Sequence, residues 1–170
     1  MAIETRLGWA GVALSPAGIR YATLFEPAET AVFDRLAKAG LLSRDDDPRF
    51  PAIADSLCRF AEGGGGNLDA YPIDLPPCSD FERSAWLGLR DIPKGETRSY
   101  GWLGRHIGQP ASVVRAIGQA MGANPIPLWL PCHRVVASDG SLHGFGGGLA
   151  MKRALLELEG ALPRPMFALA

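Results

Sequence analysis

Cysteine is scarce in this 170-residue chain, and its scarcity argues against two kinds of site. Cys58, Cys78 and Cys132 are an odd number at wide spacing, which favours neither a disulfide framework nor a Cys-x-x-Cys metal site. No apolar run approaches the roughly 20 residues needed to span a bilayer, and the opening MAIETRLGWAG lacks the basic and apolar regions of a secretory signal. We therefore expect a cytoplasmic protein without a membrane partner, in which a free thiol is permissible.

Positive and negative charges nearly balance over the whole chain, but they are distributed unevenly between its two halves. The formal net charge of −1 argues against indiscriminate binding of nucleic acid, and the content of 47% hydrophobic residues indicates a globular protein. Residues 1–84 hold 8 Lys and Arg against 13 Asp and Glu, a balance of −5, whereas residues 85–153 hold 8 against 3, a balance of +5. An anionic partner is therefore expected to bind the second half.

The first half combines strand and helix patterns. Two apolar segments of high β propensity, LGWAGVALS and GIRYATLF, flank the turn signal SPAG at 15–18 and predict a hairpin. A helix is predicted over about 30–39, and its expected apolar face is Val32, Phe33, Leu36 and Ala37. A charged loop, SRDDDPRFP, separates it from a second helix in AIADSLCRFAEG, where Cys58 is expected in the core. The run GGGGN at 63–67 predicts a flexible joint, with the domain boundary between about 66 and 84.

The second half is mainly helical in pattern. SDFERSAWLGLRDI follows a Ser79 or Asp80 N-cap, SYGWLGRHIG follows Ser99 and stops at Gly108, and ASVVRAIGQAMGAN makes another helix. The last two are separated by a few residues and have helix-turn-helix proportions.

The last of these helices carries glycine on the face predicted to be exposed. Val113, Ile117, Ala120 and Met121 should face the core, which leaves Arg115, Gly118 and Gly122 on the other side. Each helical glycine costs about 1 kcal/mol relative to alanine, so these glycines need a reason. Close approach of a DNA groove wall, with Arg115 projecting into it, is one reason; a solvated Arg115 beside merely tolerated glycines is the alternative.

The segment NPIPLWLPCHRVV places Cys132 directly before His133. Three prolines stiffen the backbone around the thiol, and an imidazole that takes its proton would raise the thiolate fraction. Neighbours on an extended chain point to opposite sides, so a bridging water is a more natural link than direct contact. The alternative is a buried cysteine with an unrelated histidine neighbour.

The segment LAMKRALLELEG contains two carboxylates that could hold the imidazole in place. Glu159 stands at the end of this helix, where the dipole disfavours its charge unless a cation or hydrogen-bond donor is near. Glu157 lies in the same turn, so spacing alone does not choose between them. The preceding SDGSLHGFGGGLA predicts a glycine-rich loop whose N–H groups can approach a ligand, although no Gly-Lys-Ser/Thr of a phosphate loop follows.

Two of these segments together resemble a known family. RAIGQAMGANPIPLWLPCHRVV followed by GFGGGLAMKRALLELEG is similar to the O6-alkylguanine-DNA alkyltransferases, continuously from about Pro93 to Gly160, with PCHRV as the most specific part. The first 75 residues match only in layout, through the hairpin segment TRLGWAGVALSPAGI. The resemblance implies an α+β fold: a small N-terminal α/β domain of ribonuclease H type over residues 1–75, then a mainly helical domain over 76–170 with a helix-turn-helix.

The function implied by the resemblance is a single-turnover repair of DNA. Cys132 would accept the alkyl group from O6 of guanine and stay alkylated, with His133 as the base through water, Glu159 orienting His133, and Asn124 bracing the turn. The partner would be double-stranded DNA containing O6-alkylguanine, bound from the minor groove by a monomer, with no cofactor and no metal. In a bacterium such a cytoplasmic protein would associate with the nucleoid.

The resemblance also implies the residues that contact DNA and the flipped base. Arg115 would fill the place of the flipped base, Tyr100 would contact the target base and its phosphate, and the carbonyls of Cys132 and Val135 would accept from its amino group. Ala116 and Gly118 would lie against the groove. Phe145 stands where many members have Tyr, Gly146 where some have Ser and Gln119 where some have Gly, which bears on the lesions accepted.

Two other functions compete with this one. A lesion-binding module without transfer would bind alkylated DNA, but proteins of that kind lack the acceptor cysteine. A cysteine hydrolase using Cys132 and His133 would turn over and would not need Arg115.

Overall fold

A computed structural model describes residues 1–41, 46–63 and 65–163, and these form a mixed α/β structure, as the predicted α+β class requires. The strands are β1 (Ala2–Thr5), β2 (Gly8–Ser15), β3 (Gly18–Ala22), β4 (Arg98–Ser99) and β5 (Val135–Val136). The helices are α1 (Glu29–Lys38), α2 (Phe50–Gly63), α3 (Asp80–Gly88), α4 (Tyr100–His106), α5 (Val114–Gly122) and α6 (Gly148–Glu159). Short 3-10 turns cover residues 68–70, 89–91, 111–113 and 132–134.

Strands β1, β2 and β3 form one antiparallel sheet in that order. Ser15 pairs with Gly18 across the tight turn, so the predicted hairpin is confirmed. Helix α1 packs on this sheet through Val32 and Leu36, which are buried. Phe33 and Ala37 are exposed, and their prediction as part of the apolar face is wrong because only a narrow i, i+4 stripe of this short helix contacts the sheet.

Helix α2 begins at Phe50 and buries an apolar row that includes Ile53, Leu57 and Phe60. Cys58 was expected in the core but is only half-buried. It directly follows Leu57, so its side chain points away from the buried row, and its thiol donates to the Glu4 carbonyl at 3.5 Å. Of the loop predicted between α1 and α2, residues 43–45 lie outside the described residues.

The glycine run after α2 contains a residue that close packing requires. Gly64 lies outside the described residues, but Gly66 adopts the left-handed conformation with φ of 72°. A Cβ at Gly66 would lie 2.1 Å from the carbonyl oxygen of Ser56 in α2. Glycine at this position therefore lets the chain turn back against the helix it has just left.

The helices of the second half begin at the predicted caps. Ser79 forms a capping box with Glu82 at the start of α3, and Ser99 accepts from the Trp102 N–H at 3.0 Å at the start of α4. Helix α5 begins later than predicted, at Val114, because residues 111–113 form a 3-10 turn first.

Two long-range links position the later elements. Strand β4 pairs in parallel with β5, which brings the start of α4 beside the segment that follows Cys132. The Trp86 indole in α3 donates to the Ala120 carbonyl in α5 at 2.8 Å. Across the part of the chain that the structure describes, no helix has the length and apolar character needed to cross a membrane.

The glycine at 66 provides a test of the packing between α2 and the chain that follows it. Gly66→Ala should lower the free energy of unfolding by about 1–2 kcal/mol for the left-handed backbone and by a further ~1–3 kcal/mol for the overlap with Ser56. Gly40→Ala is the matched control, because Gly40 has φ of 70° and no described atom lies within 4 Å of its Cβ position. Urea unfolding of both variants measures the difference, and equal losses would contradict the packing argument.

Candidate active site

The described residues enclose a cleft of about 950 Å³ between α4, α5 and the loop before α6. Its walls include several residues predicted from the sequence to be functional: Tyr100, Arg115, Gly118, Cys132, Phe145 and Gly146. Asn124, His133 and Glu159 lie behind Cys132 rather than in the wall. Such a cleft has the size of a small-molecule or single-base site.

Cys132 lies at the base of the cleft and is only 6% exposed. Asn124 braces the turn that carries it: its side-chain N–H donates to the Leu130 carbonyl at 2.7 Å, and its Oδ1 accepts from the Ile126 N–H at 3.0 Å. Burial raises the pKa of the Cys132 thiol, while a hydrogen bond from Asn124 and the charge of Lys152 act to lower it. The thiol is therefore fixed in place and placed among groups that favour its ionised form.

Behind the thiol, His133 and Glu159 form a buried pair. The His133 Nε2 atom lies 3.0 Å from Glu159 Oε1, and both side chains are almost fully buried. Of the two glutamates left open by spacing, it is Glu159 that contacts the imidazole. His133 Nδ1 has no hydrogen-bond partner among the described residues, and no hydrogen bond there joins the imidazole to the Cys132 thiol. The thiol and the imidazole were expected not to contact each other because they would lie on an extended chain; residues 132–134 instead form a 3-10 turn, in which the two groups share no hydrogen bond.

Glu159 also contacts a cation, as expected for a carboxylate at the C-terminal end of a helix, where the helix dipole disfavours its charge. Arg134 donates from Nε to Oε2 and from Nη2 to Oε1, each at 2.9 Å. Although burial opposes its ionisation, hydrogen bonds from His133 and Arg134 bring the pKa of Glu159 down to about 2. The carboxylate is therefore ionised at neutral pH despite its burial.

Helix α5 presents Arg115 and its glycines on the cleft side. Arg115 is exposed, and no atom of the described chain lies within 4 Å of a Cβ built at Gly118 or Gly122. Internal packing therefore does not require glycine at either position. Ala116 is half-buried on the same helix.

Tyr100 and Val135 border the thiol on other elements. Tyr100 begins α4 and is partly exposed; burial raises its pKa, and the nearby Cys132 thiol adds to the effect. Val135 is fully buried and follows the 3-10 turn of Cys132, whose carbonyl accepts from the Val135 N–H.

The glycine-rich loop closes the cleft opposite α5. Phe145 is half-buried and Gly146 is exposed. A Cβ at Gly147 would lie 2.5 Å from the Met151 sulfur and 3.0 Å from Leu24 Cδ1, so a larger residue would have to displace the ends of these two side chains. His143, expected at the surface, is exposed and also lines the cleft.

Among residues 1–41, 46–63 and 65–163, no group of three or more His, Cys, Asp or Glu could hold a metal ion.

Comparison with known proteins identifies the family of this chain. A family model described as 6-O-methylguanine DNA methyltransferase, DNA binding domain, matches residues 80–161. A methylated-DNA–protein-cysteine methyltransferase of Mycobacterium bovis is 48% identical over 115 residues, which are 67% of this chain and 67% of that protein. The chain belongs to the methylated-DNA–protein-cysteine methyltransferase family.

Other members of the family agree in sequence and in fold. The inducible methylated-DNA–protein-cysteine methyltransferase of Bacillus subtilis is 39% identical over 120 residues, covering 71% of this chain and 65% of that protein. The crystal structure of Mycobacterium tuberculosis OGT in complex with DNA matches with a TM-score of 0.74 and 35% identity, over 94% of this chain and 91% of that one.

Besides Arg134, the sequence analysis missed Lys152 in the site of this family member. Lys152 is 1% exposed, donates to the His143 carbonyl at 3.1 Å, and places its ammonium within 6 Å of the Tyr100 and Phe145 rings. Burial lowers the pKa of Lys152, and the Cys132 thiol opposes that effect. The available signal was its spacing, because Lys152 and Glu159 are seven residues apart on α6 and so share a face.

Lys152→Met should make Cys132 less reactive, because it removes a cation that favours the thiolate. We expect the rate of alkylation of Cys132 by iodoacetamide at neutral pH to fall up to about tenfold, because the pKa of the thiol rises further when the cation is lost. Mass spectrometry of the labelled peptide measures this rate. Arg153→Met is the control, since Arg153 is exposed and pairs with Glu157; an equal loss in both variants would contradict a specific effect of Lys152.

Proposed function

We propose that this protein repairs DNA directly, by transferring an alkyl group from O6 of guanine in duplex DNA to Cys132, once per molecule. The observation that carries the proposal is a braced cysteine at the base of a cleft whose rim bears an exposed arginine on α5. The family assignment supports the same reaction.

The transfer balances without a cofactor. The Cys132 thiol gives its proton, through a water, to His133 Nδ1, and the resulting thiolate attacks the alkyl carbon. The new S–C bond forms as the C–O6 bond breaks, with the electron pair going to the guanine oxygen. The departing base then takes up one proton, so that guanine and an alkylated cysteine are the products. Because the thioether does not revert, the protein is consumed.

We infer that DNA is bound from the minor groove by α4 and α5, which act as a helix-turn-helix. The open space above Gly118 and Gly122 allows a groove wall to approach the backbone, and Ala116 keeps that face small. Arg115 then takes the place of the base that has left the stack, and Tyr100 contacts that base and its phosphate. The carbonyls of Cys132 and Val135 accept from the guanine amino group. We expect the protein to act as a monomer.

Phe145 and Gly146 shape the opposite wall of the pocket for the base. Neither supplies a hydroxyl, so O6 is expected to receive backbone N–H groups of this loop instead. The apolar Phe145 ring beside Tyr100 and Lys152 leaves an alkyl group in a largely apolar surrounding. The range of alkyl groups accepted is therefore expected to depend on the position of this loop.

The N-terminal part is proposed to serve as a scaffold. We assign it to residues 1–75 as a small domain of ribonuclease H type, and residues 76–170 to the DNA-binding and transfer domain. The acidic balance of the first half makes it the less suited of the two to contact DNA. We expect the protein in the cytoplasm, and on the nucleoid if it is bacterial.

A lesion-binding module without transfer is less consistent with the site. Such a module needs only the cleft and Arg115, whereas here the thiol is present with a base, a carboxylate and a nearby lysine arranged around it.

Cys132 should be the only cysteine that becomes alkylated. Incubation with duplex DNA containing O6-methylguanine should add the mass of one methyl group to the wild-type protein and none to Cys132→Ala, which should still bind the DNA. Cys58→Ala and Cys78→Ala are the controls and should react like the wild type, because both cysteines lie outside the cleft. Intact-mass spectrometry with excess DNA measures the transfer, and an unmodified wild-type protein would contradict the proposal.

Arg115 should matter only when the base has to leave a duplex. Arg115→Ala is expected to slow transfer from O6-methylguanine in duplex DNA at least ~10-fold while changing the reaction with free O6-benzylguanine about twofold or less, because only the duplex requires base flipping. Arg83→Ala, at an exposed arginine outside the cleft, is the matched control. Equal losses with both substrates would show that Arg115 acts on the pocket rather than on the DNA.

A further inference from the structure

Arg134 is a buried cation that neither the fold nor the transfer step described above explains. It directly follows Cys132 and His133 on one 3-10 turn and is 7% exposed. One of its N–H groups, at Nη1, donates to the Ile92 carbonyl at 2.7 Å. Nε and Nη2 both donate to the Glu159 carboxylate. The guanidinium therefore contacts the group that also holds the imidazole of His133.

The contacts define which nitrogen of His133 is the acceptor. Glu159 Oε1 is shared, 3.0 Å from His133 Nε2 and 2.9 Å from Arg134 Nη2. An ionised carboxylate can only accept, so Nε2 carries the hydrogen and the lone pair of the neutral ring lies on Nδ1. Nδ1 is the buried atom that has no partner among the described residues.

Burial and the charges around His133 together determine its protonation state. A carboxylate alone beside an imidazole favours the imidazolium, which has no lone pair with which to accept a proton. Here the charge of Glu159 is balanced by Arg134 of the same turn, and Lys152 of α6 adds a second cation. Burial lowers the pKa of His133; Glu159 opposes this effect, while Arg134 and Lys152 reinforce it. Tyr100 of α4 and the Cys132 thiol are the further titratable groups on this side.

We propose that Arg134 is a positioning residue for the transfer reaction: by neutralising Glu159, it keeps His133 a neutral imidazole whose Nδ1 can accept the Cys132 proton. The idea rests on the proposed function for its meaning in repair. It explains why a cation directly follows the nucleophile and the base, since one short turn then supplies the thiol, the proton acceptor and the charge that keeps the acceptor neutral.

The test is the pH dependence of Cys132 reactivity in Arg134→Gln. Without the guanidinium charge, the His133–Glu159 pair holds one more proton than the wild-type pair does at the same pH. That proton must leave before the imidazole can accept one from the Cys132 thiol. The ratio of wild-type to variant rate with iodoacetamide should therefore be at least about tenfold larger near pH 6.5 than near pH 9. A residue that only supports the fold would give a ratio independent of pH.

The double variant Arg134→Gln/Glu159→Gln is the matched control. It removes both charges and leaves an amide oxygen that can still accept from Nε2, so its rate ratio to the wild type should not depend on pH. An NMR titration of the His133 imidazole should show a higher pKa in Arg134→Gln than in the wild type, and a return toward the wild-type value in the double variant. An unchanged titration in Arg134→Gln would overturn the proposal.

A substitute variant and a reagent that needs no DNA ensure that the test of Arg134 gives a clear result. If Arg134→Gln does not fold, Arg134→Met replaces it in the NMR titration, where loss of the cation should again raise the pKa of His133; no shift would overturn the proposal. Iodoacetamide needs no DNA, so these measurements stand even if the wild type fails to take a methyl group from alkylated DNA. A wild type that takes up no methyl group would contradict the proposed function. The role of Arg134 would then be decided by the NMR titration alone.

Discussion

The structure depends on a buried thiol that has to ionise. Burial by itself raises the pKa of Cys132 and makes its thiolate less accessible, whereas a nucleophilic attack on an alkyl carbon needs that thiolate. The Asn124 amide, the Lys152 ammonium and backbone N–H groups of the turn offset part of this effect, although burial remains the larger influence and the pKa stays raised. Each of these groups belongs to a different part of the chain, so the fold exists largely to bring them to one atom.

The backbone before Cys132 is held with little freedom to move. Leu128 is buried with φ of 75°, an unfavourable conformation for a leucine that persists only where its surroundings enforce it. Asn124 closes this turn from inside through Leu130 and Ile126. Prolines alone would stiffen such a segment, but it is the amide of Asn124 that fixes the path of the chain into the 3-10 turn carrying Cys132. The turn that carries Cys132 is therefore held from two sides, by Asn124 and, through His133 and Arg134, by Glu159 of α6.

The sequence predicted the parts of the site that are local and left open those that depend on packing. The Ser79 and Ser99 caps and the hairpin turn follow from short patterns, and the structure has them where expected. Spacing did not separate Glu157 from Glu159, since both lie in one turn; the contact with His133 and Arg134 selects Glu159. Arg134 was missed because a buried charge becomes visible only with its partners, and Lys152 was missed because its seven-residue spacing from Glu159 was not used. Phe33 was misplaced because a short helix buries a narrower stripe than its apolar residues suggest.

The first sheet supports both segments that shape the cleft. Ala22, at the end of β3, donates its N–H to the Pro125 carbonyl at 3.0 Å, next to Asn124 in the braced turn. Two residues later, Leu24 lies against Gly147 in the loop that carries Phe145. One short stretch of the N-terminal half therefore contacts the turn of the nucleophile and the opposite wall of the cleft. Residues that contact both segments help to set the width of the cleft, so under the proposed function the space available to an alkylated base would depend on the N-terminal half as well.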